Sequence, residues 1–524
     1  MSKHIKEVAE DFAKGGLHLF TGNTFSTIIL AIGSIIVARL LGPEGMGLYT
    51  LSLALPSLVV GFIDLGINPS VTHFSAKLRV EGRLSLLSKM LKVSYINRIL
   101  IGFVVSAVFF LLSENLAYLL NRPEASFLIR ISSLVIVVNS VFSLNNSAFL
   151  GLDKVKGYSI LLTTQSVVKT ILSPILILIG LGVSGALAST VVSYLLPAFI
   201  GYFMLNSYLT DLGKPSTDSY TSTLKVMLRY GFPLYLSNII GIIISQLRIL
   251  ILAYFASDAE IGNFSAVLTL SSAMNVLILP LSALFPVFSK LKDESDLRTM
   301  FKACVKYASL LMVPSTILVM VLSKELVFTL YSRAFDLAPR FLTLFMIQFL
   351  YVVVGLIVLT YLLSGVGQTV IILRAELVNF FLFLPLVSVL TPLYKVDGMI
   401  VATLISSLAS LLYCLYAAVK RLGVNIDYKS SMLILLTSLL ASIPTLGLLT
   451  LRLGSLLSLI LGVLLYFVTY ITLLPLLGAV AENDVENLKQ IVSKLGLLWP
   501  LIRPILSYVE RLAKFSLSGR VKSE

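Results

Sequence analysis

The sequence predicts an all-α integral membrane protein: fourteen transmembrane helices, forming two six-helix lobes related by an internal parallel repeat, with two more helices at the carboxyl end. Three observations carry that expectation. Hydrophobic residues are 57% of the chain and charged residues 13%, with mean hydropathy +0.97, whereas a soluble domain holds roughly 25% charged residues. The apolar residues fall in runs of about 20, the length that crosses the hydrocarbon of a bilayer. The chain also matches itself. Shifted by 215 residues, Ala38 falls on Ala253, Gly47 on Gly262, Tyr49 on Phe264 and Gly16 on Gly231. At a shift of 214 Gly151 meets Gly365, and at 213 Gly185, Thr190 and Ser193 meet Gly398, Thr403 and Ser406. A shift that drifts so little over the length of a lobe indicates duplication. Six spans is an even number, so both copies enter the bilayer the same way round.

In chain order, the amino-terminal lobe covers residues 1–209. Ile5, Val8, Ala9 and Phe12 share one helical face, which predicts a short amphipathic surface helix feeding the first span. Spans are expected at Leu17 to Val37, Leu48 to Pro69, Val93 to Ser113, Ser126 to Leu150, Tyr158 to Gly180 and Gly185 to Tyr208. A polar linker occupies 210–229. The second lobe, 230–420, carries spans at Gly231 to Leu252, Gly262 to Phe288, Cys304 to Leu322, Phe341 to Ser364, Val370 to Leu390 and Gly398 to Val419. Two further spans, Met432 to Leu451 and Leu456 to Leu477, lie in 421–480. Prolines within the apolar runs withdraw backbone donors, so bends are expected at Pro174 and Pro385, with Pro56, Pro233, Pro280 and Pro286 as further candidates. The tail, 481–524, is amphipathic. Val485, Leu488, Val492 and Leu495 share one face, Trp499-Pro500 breaks the run, and Ile505, Val509 and Leu512 form a second face.

Of the 40 Lys and Arg, about 30 fall in the start, the even-to-odd loops and the tail, which the positive-inside rule makes cytoplasmic. Both termini are thereby cytoplasmic, in a multi-pass protein of the cell membrane. The net charge of +14 answers to anionic lipid headgroups, and no nucleic-acid partner is expected. Cys304 and Cys414 stand apart without metal or redox spacing, and His4, His18 and His73 do not cluster, so no metal and no cofactor are expected. The largest outer connection, Ser323 to Arg340, holds only Glu325 and Asp336 as acids. That is a poor basis for acid–base catalysis on the outer face, and the chain is not expected to be an enzyme.

Ala38-Arg39-Leu40-Leu41-Gly42-Pro43 with Gly47 and Tyr49, followed by Asp64-Leu65-Gly66 closing the second span, resembles the opening of the polysaccharide-type flippases. These O-antigen and lipid-linked-oligosaccharide exporters belong to the superfamily that also holds multidrug and toxin extrusion proteins and lipid II flippases. The resemblance implies two six-helix bundles around a cavity that opens alternately to each side, and a cargo of glycan on polyprenyl phosphate or diphosphate. The chain is expected to work as a monomer among membrane lipids, with glycosyltransferases of the same pathway as candidate partners. Lipid II flippases carry cavity arginines where this chain has Thr27, Gly33 and the Val60-Gly61 region. A cation-coupled multidrug or small-molecule antiporter is the alternative. Some of those proteins use a carboxylate in the first helix, whereas Leu17 to Val37 contains Thr21, Asn23 and Thr24 but no acid.

Ionisable groups inside spans are costly and so become functional candidates. Lys169, about 18 Å along the fifth span at ~1.5 Å per residue, suits a cargo phosphate, or else a structural partner. Arg248, in the seventh span, suits a cavity cation or an interfacial snorkeller. Arg39 ends the first span beside Gly42-Pro43, where it caps the helix and meets headgroups or touches Glu44. Asp64 and Glu376, near the inner face, are candidates for a coupling proton or sodium, with Lys77 and Arg374 as structural partners instead. Asn23, Gln165, Asn238 and Gln246, with Asn145, Asn146, Asn275, Gln348 and Asn379, either bond sugar hydroxyls in a cavity or hold helices together.

Overall fold

The computed structural model describes residues 3–210, 219–278, 288, 293–480, 482, 484–486, 489 and 499–521, with the side chains of some of these left aside. Among the described residues every element is helical. Contacts divide the chain into two compact units, one of residues 1–273 with 383–399 and one of 274–382 with 400–524.

In the first unit, α1 runs Lys3–Phe62 and contains the first expected span and most of the second, which ends earlier than Pro69 because the chain turns at Ile63–Gly66 before α2. They are parted at Gly42, whose φ of 68° belongs to the left-handed region. Glycine takes that conformation without cost, and Pro43 can follow because a helix start needs no N–H there. The helix is already formed at Lys3, although the side chains of Ile5, Val8, Ala9 and Phe12 lie outside the described residues. Next come α2 (Ile67–Val80), α3 (Leu84–Leu111), α4 (Ser113–Leu119), α5 (Ser126–Gly151) and α6 (Val155–Leu176). A π-helical turn, Ile177–Leu181, follows Pro174, and positive φ at Gly180 and Gly182 lets the chain reverse into α7 (Gly182–Thr210). Of the expected linker 210–229, residues 211–218 lie outside the described residues, and from Tyr220 onward the chain is already helical. α8 (Tyr220–Phe255) bends by 53° between Leu236 and Ile239, three residues beyond Pro233, and α9 covers Asp258–Ile278. Pro280 and Pro286 lie outside the described residues.

The second unit has α10 (Glu294–Val321), α11 (Ser323–Leu330), α12 (Ala338–Leu350), α13 (Leu356–Gly365), most of α14 (Thr369–Leu422), α15 (Tyr428–Leu449), α16 (Ser455–Leu476) and α17 (Trp499–Val521). A bend of 50° separates α12 with its 3-10 extension from α13 at Gly355, φ 87°. No proline marks that break. α14 is interrupted at Lys395, φ 50°, between the eleventh and twelfth expected spans. Among the described residues eight helices are long and apolar enough to cross a membrane, or ten with each bent pair taken as one span. Their outer faces carry exposed large apolar residues such as Phe103, Phe199, Phe203 and Phe381, which hydrocarbon solvates at no cost and water does not. This is an integral membrane protein.

Helix packing in the first unit rests on small and polar residues, as packing in lipid requires. α1 and α6 run side by side. Tyr158 Oη donates to Asn23 Oδ1 at 3.4 Å, Ser26 and Thr163 hydroxyls lie 3.4 Å apart, and Thr170 Oγ1 donates to the Ile29 carbonyl at 3.0 Å. A Cβ on Gly33 would collide with Thr170, so glycine sets that approach. In the second unit, Tyr470 Oη donates to the Leu310 carbonyl at 3.3 Å and Tyr466 Oη to that of Ser438 at 3.2 Å, tying α16 to α10 and α15. The tail helix α17 buries Leu506, Val509 and Ala513, and Tyr508 meets Thr472 of α16 at 3.1 Å. Of the earlier tail face, Leu488, Val492 and Leu495 lie outside the described residues.

Candidate substrate-binding site

Lys169 projects from the middle of α6 into a small cavity of about 30 Å³, room for a water or two, lined also by Leu30, Gly33, Ser34, Val37, Met46, Tyr49 and Thr170. Its Nζ stands 5.7 Å from the centroid of the Tyr49 ring. The face of an aromatic ring attracts a cation, and Tyr49 is held in place by its hydroxyl, 2.9 Å from Thr190 Oγ1 of α7. Tyr194 of α7 is the other electrostatic neighbour. Among the described residues no Asp or Glu lines this cavity. Of the structural alternatives, a carboxylate or a carbonyl, a carboxylate finds no residue in this lining, and the ammonium hydrogen-bonds the Tyr49 hydroxyl instead.

Arg248, in α8, is the second embedded cation. Its Nε is buried and makes no hydrogen bond, so among the described residues the guanidinium is incompletely satisfied. Arg248 does not line the Lys169 cavity. Gln246 is half-buried nearby in sequence, and the side chain of Asn238 lies outside the described residues. Asn23 joins α1 to α6 through Tyr158, and Gln165 is buried one turn before Lys169. Arg39 is exposed, three residues before the Gly42 break.

The two carboxylates have different surroundings. Asp64 is ion-paired with Arg98 of α3, which also donates to the Ile63 carbonyl at 3.0 Å. Asp64 further accepts from the backbone N–H groups of Gly66 and Asn68 at 3.2 and 3.3 Å. The expected partner Lys77 instead lies 3.9 Å from Glu81, one helical turn along the exposed face of α2. Glu376, in α14, hydrogen-bonds Asn379. Arg374 is exposed and makes no ion pair with it among the described residues, because positions two apart on a helix do not face each other.

Sequence reasoning missed Arg98, whose side chain is 2% exposed, because it follows directly on the basic stretch from Lys77 to Lys92. Its place halfway along α3 was the available signal. Also missed was a cluster beyond the spans. Arg122 Nε donates to Asp258 at 2.8 Å and Nη2 to the Ala256 carbonyl at 3.0 Å, closing the end of α8. Glu260 accepts from the Ser257 N–H at 2.8 Å and from Lys395 at 3.1 Å. Partial burial opposes ionisation of Glu260, but these donors prevail and hold its carboxyl below the usual range.

Small residues bring the second half of α1 against α8 and α9. A Cβ on Gly47 would strike the Asp258 carbonyl, and one on Gly262 would strike the Pro43 carbonyl. Each glycine thus abuts the residue four positions before the other. Thr50 donates to Ser265, 215 residues away, at 2.9 Å. At the opposite end Gly66 abuts Gly231, Ser70 Oγ donates to the Met227 carbonyl at 2.5 Å, and the His73 ring stacks on Tyr230 at 4.1 Å.

Residues 12–292, over half of the chain, match the family described as polysaccharide biosynthesis protein. The lipopolysaccharide biosynthesis protein WzxC of Escherichia coli (strain K12) is 24% identical over 58% of this chain and 60% of its own length. The succinoglycan biosynthesis transport protein ExoT of Rhizobium meliloti (strain 1021) is 25% identical over 64% and 65%. The chain thus spans less than two thirds of these two relatives. The probable low-salt glycan biosynthesis flippase Agl15 of Haloferax volcanii is 21% identical over 92% of this chain and 99% of its own. Among solved structures, the lipid II flippase MurJ in an inward closed conformation superposes with a TM-score of 0.69 at 15% identity, over 87% of this chain and 98% of that one. An inward-facing multidrug resistance MATE family transporter gives 0.65 at 14%, over 76% and 94%. At these identities the likeness is one of fold.

Proposed function

Because the chain belongs to the polysaccharide biosynthesis protein family, we propose that it carries a lipid-linked glycan, an oligosaccharide or polysaccharide unit on polyprenyl phosphate or diphosphate, across the cytoplasmic membrane by alternating access. The observation that carries this reading is the pair of embedded cations, Lys169 and Arg248, neither of which has a carboxylate partner among the described residues. An uncompensated cation in a membrane interior is stable only where an anion or water can reach it. A phosphate arriving with the cargo supplies that anion, while the polyprenyl chain stays in lipid.

Ten spans become thirteen if α1, α14 and the run from α6 to α7 are each two spans, as the breaks at Gly42, Lys395 and Gly180 support, and α9 supplies the fourteenth. The reciprocal contacts of Gly47 with Asp258 and of Gly262 with Pro43 support the parallel repeat. Contacts between equivalent residues are what a local two-fold relation produces. Both termini are cytoplasmic in this reading, the chain works as a monomer, and glycosyltransferases of the pathway are its neighbours. Cargo reaches Lys169 when the small-residue seams beside α1 part, because a cavity of about 30 Å³ is too small to admit a phosphate.

The antiporter reading draws on Glu376, an intramembrane carboxylate without a cation partner among the described residues. In the flippase, Glu376 serves as the coupling-ion site, whereas Asp64 belongs to its pair with Arg98. The test is reconstitution into vesicles with a fluorescent polyprenyl-diphosphate sugar. Protein-dependent transbilayer movement is expected. Its absence under every ion gradient, together with gradient-driven movement of a small cationic drug, would favour the antiporter.

A further inference from the structure

Apart from the cation cavity, the first unit has a cleft of about 480 Å³ between α3 and α7, lined by Lys92, Tyr95, Ile96, Ile99, Leu100, Tyr202 and Asn206. Its walls are tied together from behind. Tyr95 Oη donates to Asn145 of α5, and Asn145 Nδ2 donates to the Ala198 carbonyl of α7 at 2.8 Å. Gly201 lets α5 and α7 come close enough for this, since a Cβ there would strike the Asn145 amide. The Tyr95 and Tyr202 rings meet edge to face at 5.3 Å across the cleft floor. The groove is therefore fixed before any ligand arrives.

Its chemistry is graded along α3. Lys92 and Asn206 stand at the polar end, close to the basic stretch that begins at Lys77. Lys92 makes no ion pair or hydrogen bond among the described residues. Ile96, Ile99 and Leu100, 56%, 48% and 62% exposed, continue the groove towards the bilayer interior. A cation and an amide above an apolar runway fit a phosphate joined to an acyl chain, whereas a free anion would leave the runway unused. The adjoining cleft between α5, α6 and α7, with Lys154 and Lys156, also contains Asp153, so its charge is mixed.

We propose that this cleft is a binding site for one anionic glycerophospholipid, its phosphate on Lys92 and Asn206 and one acyl chain along Ile96, Ile99 and Leu100. The site requires only that the chain sits in a bilayer, so it stands or falls separately from the cargo.

The test uses the full chain with Leu100→Trp in a Trp499→Phe background, Trp499 being the sole native tryptophan. The protein is reconstituted with brominated phosphatidylglycerol or brominated phosphatidylcholine, and quenching gives the relative binding constant of the two lipids at that spot. A preference of about fivefold for phosphatidylglycerol is expected, the worth of one lysine at an anionic surface. Lys92→Ala brings it to about one, and Lys92→Arg retains it. Equal quenching by the two lipids in the parent, a preference unchanged in Lys92→Ala, or displacement of the lipid by excess inorganic phosphate would each overturn the proposal. If the Leu100→Trp protein does not fold, native mass spectrometry of the unlabelled chain decides. The parent retains phosphatidylglycerol that Lys92→Ala loses, and equal retention refutes the site.

Discussion

Asp64→Asn separates two roles for one carboxylate. Arg98 is 2% exposed and Asp64 20%, so removing the acid leaves a guanidinium enclosed with one backbone carbonyl and a neutral amide. Removing one partner of a buried pair costs about 3–5 kcal/mol, and the partial exposure of Asp64 points to the lower end of that range. Arg98→Met should cost less, about 1–3 kcal/mol, because Asp64 keeps its two backbone donors and some water. The double variant Asp64→Asn/Arg98→Met buries no charge, so it should be more stable than Asp64→Asn alone, with a coupling of about 2 kcal/mol between the sites. The assay is unfolding of all four proteins in one detergent, followed by reconstituted transport with and without proton and sodium gradients. The pair reading expects Asp64→Asn to be destabilised while its folded fraction still responds to the gradient. An Asp64→Asn protein that unfolds like the parent but ignores every gradient would refute the reasoning and make Asp64 the coupling site.

Lys169→Met should lower cargo movement about tenfold to a hundredfold, the loss of one charge-assisted bond of about 1.5–3 kcal/mol, and initial rates in vesicles check it. Unchanged rates would remove Lys169 from the site. Glu376→Gln should leave downhill exchange intact and abolish its dependence on one ion gradient, read by imposing proton and sodium gradients separately. Gly262→Val should disrupt the contact with Pro43, seen as a lower melting temperature and new accessibility of a cysteine placed at Thr50, whereas Gly454→Val, in open space, should do neither. Glu260 has a lowered folded pKa, so its stabilisation is complete above the ordinary carboxylate range and fades as pH falls through the folded value. The melting difference between parent and Glu260→Gln should therefore be present at neutral pH and vanish on acidification.

The helical membrane fold was legible because bilayer physics leaves few options: the apolar runs and the Gly42-Pro43 break were both written in residue types. Less legible was anything decided by which helix lies beside which. Arg98 sits in the same basic stretch as the cytoplasmic cations, and only the approach of α3 to the end of α1 turns it into the partner of Asp64. Lys169 was found from depth alone, but its aromatic wall depends on Tyr49 and Tyr194 arriving from two other elements. The proline rule placed no bend at Gly355, where a positive φ breaks the run without any missing donor.

The meeting of Gly47 with Asp258 and of Gly262 with Pro43 has a consequence for how such a chain can change. In the proposed repeat two copies touch through the same position, so any alteration shared by both would be felt twice at one place, and doubled bulk at that crossing would leave nowhere to move. Tolerable variation there has to be lopsided, a larger side chain in one half answered by a smaller one opposite. A gene that began as two identical halves would be driven by that single crossing to let them diverge.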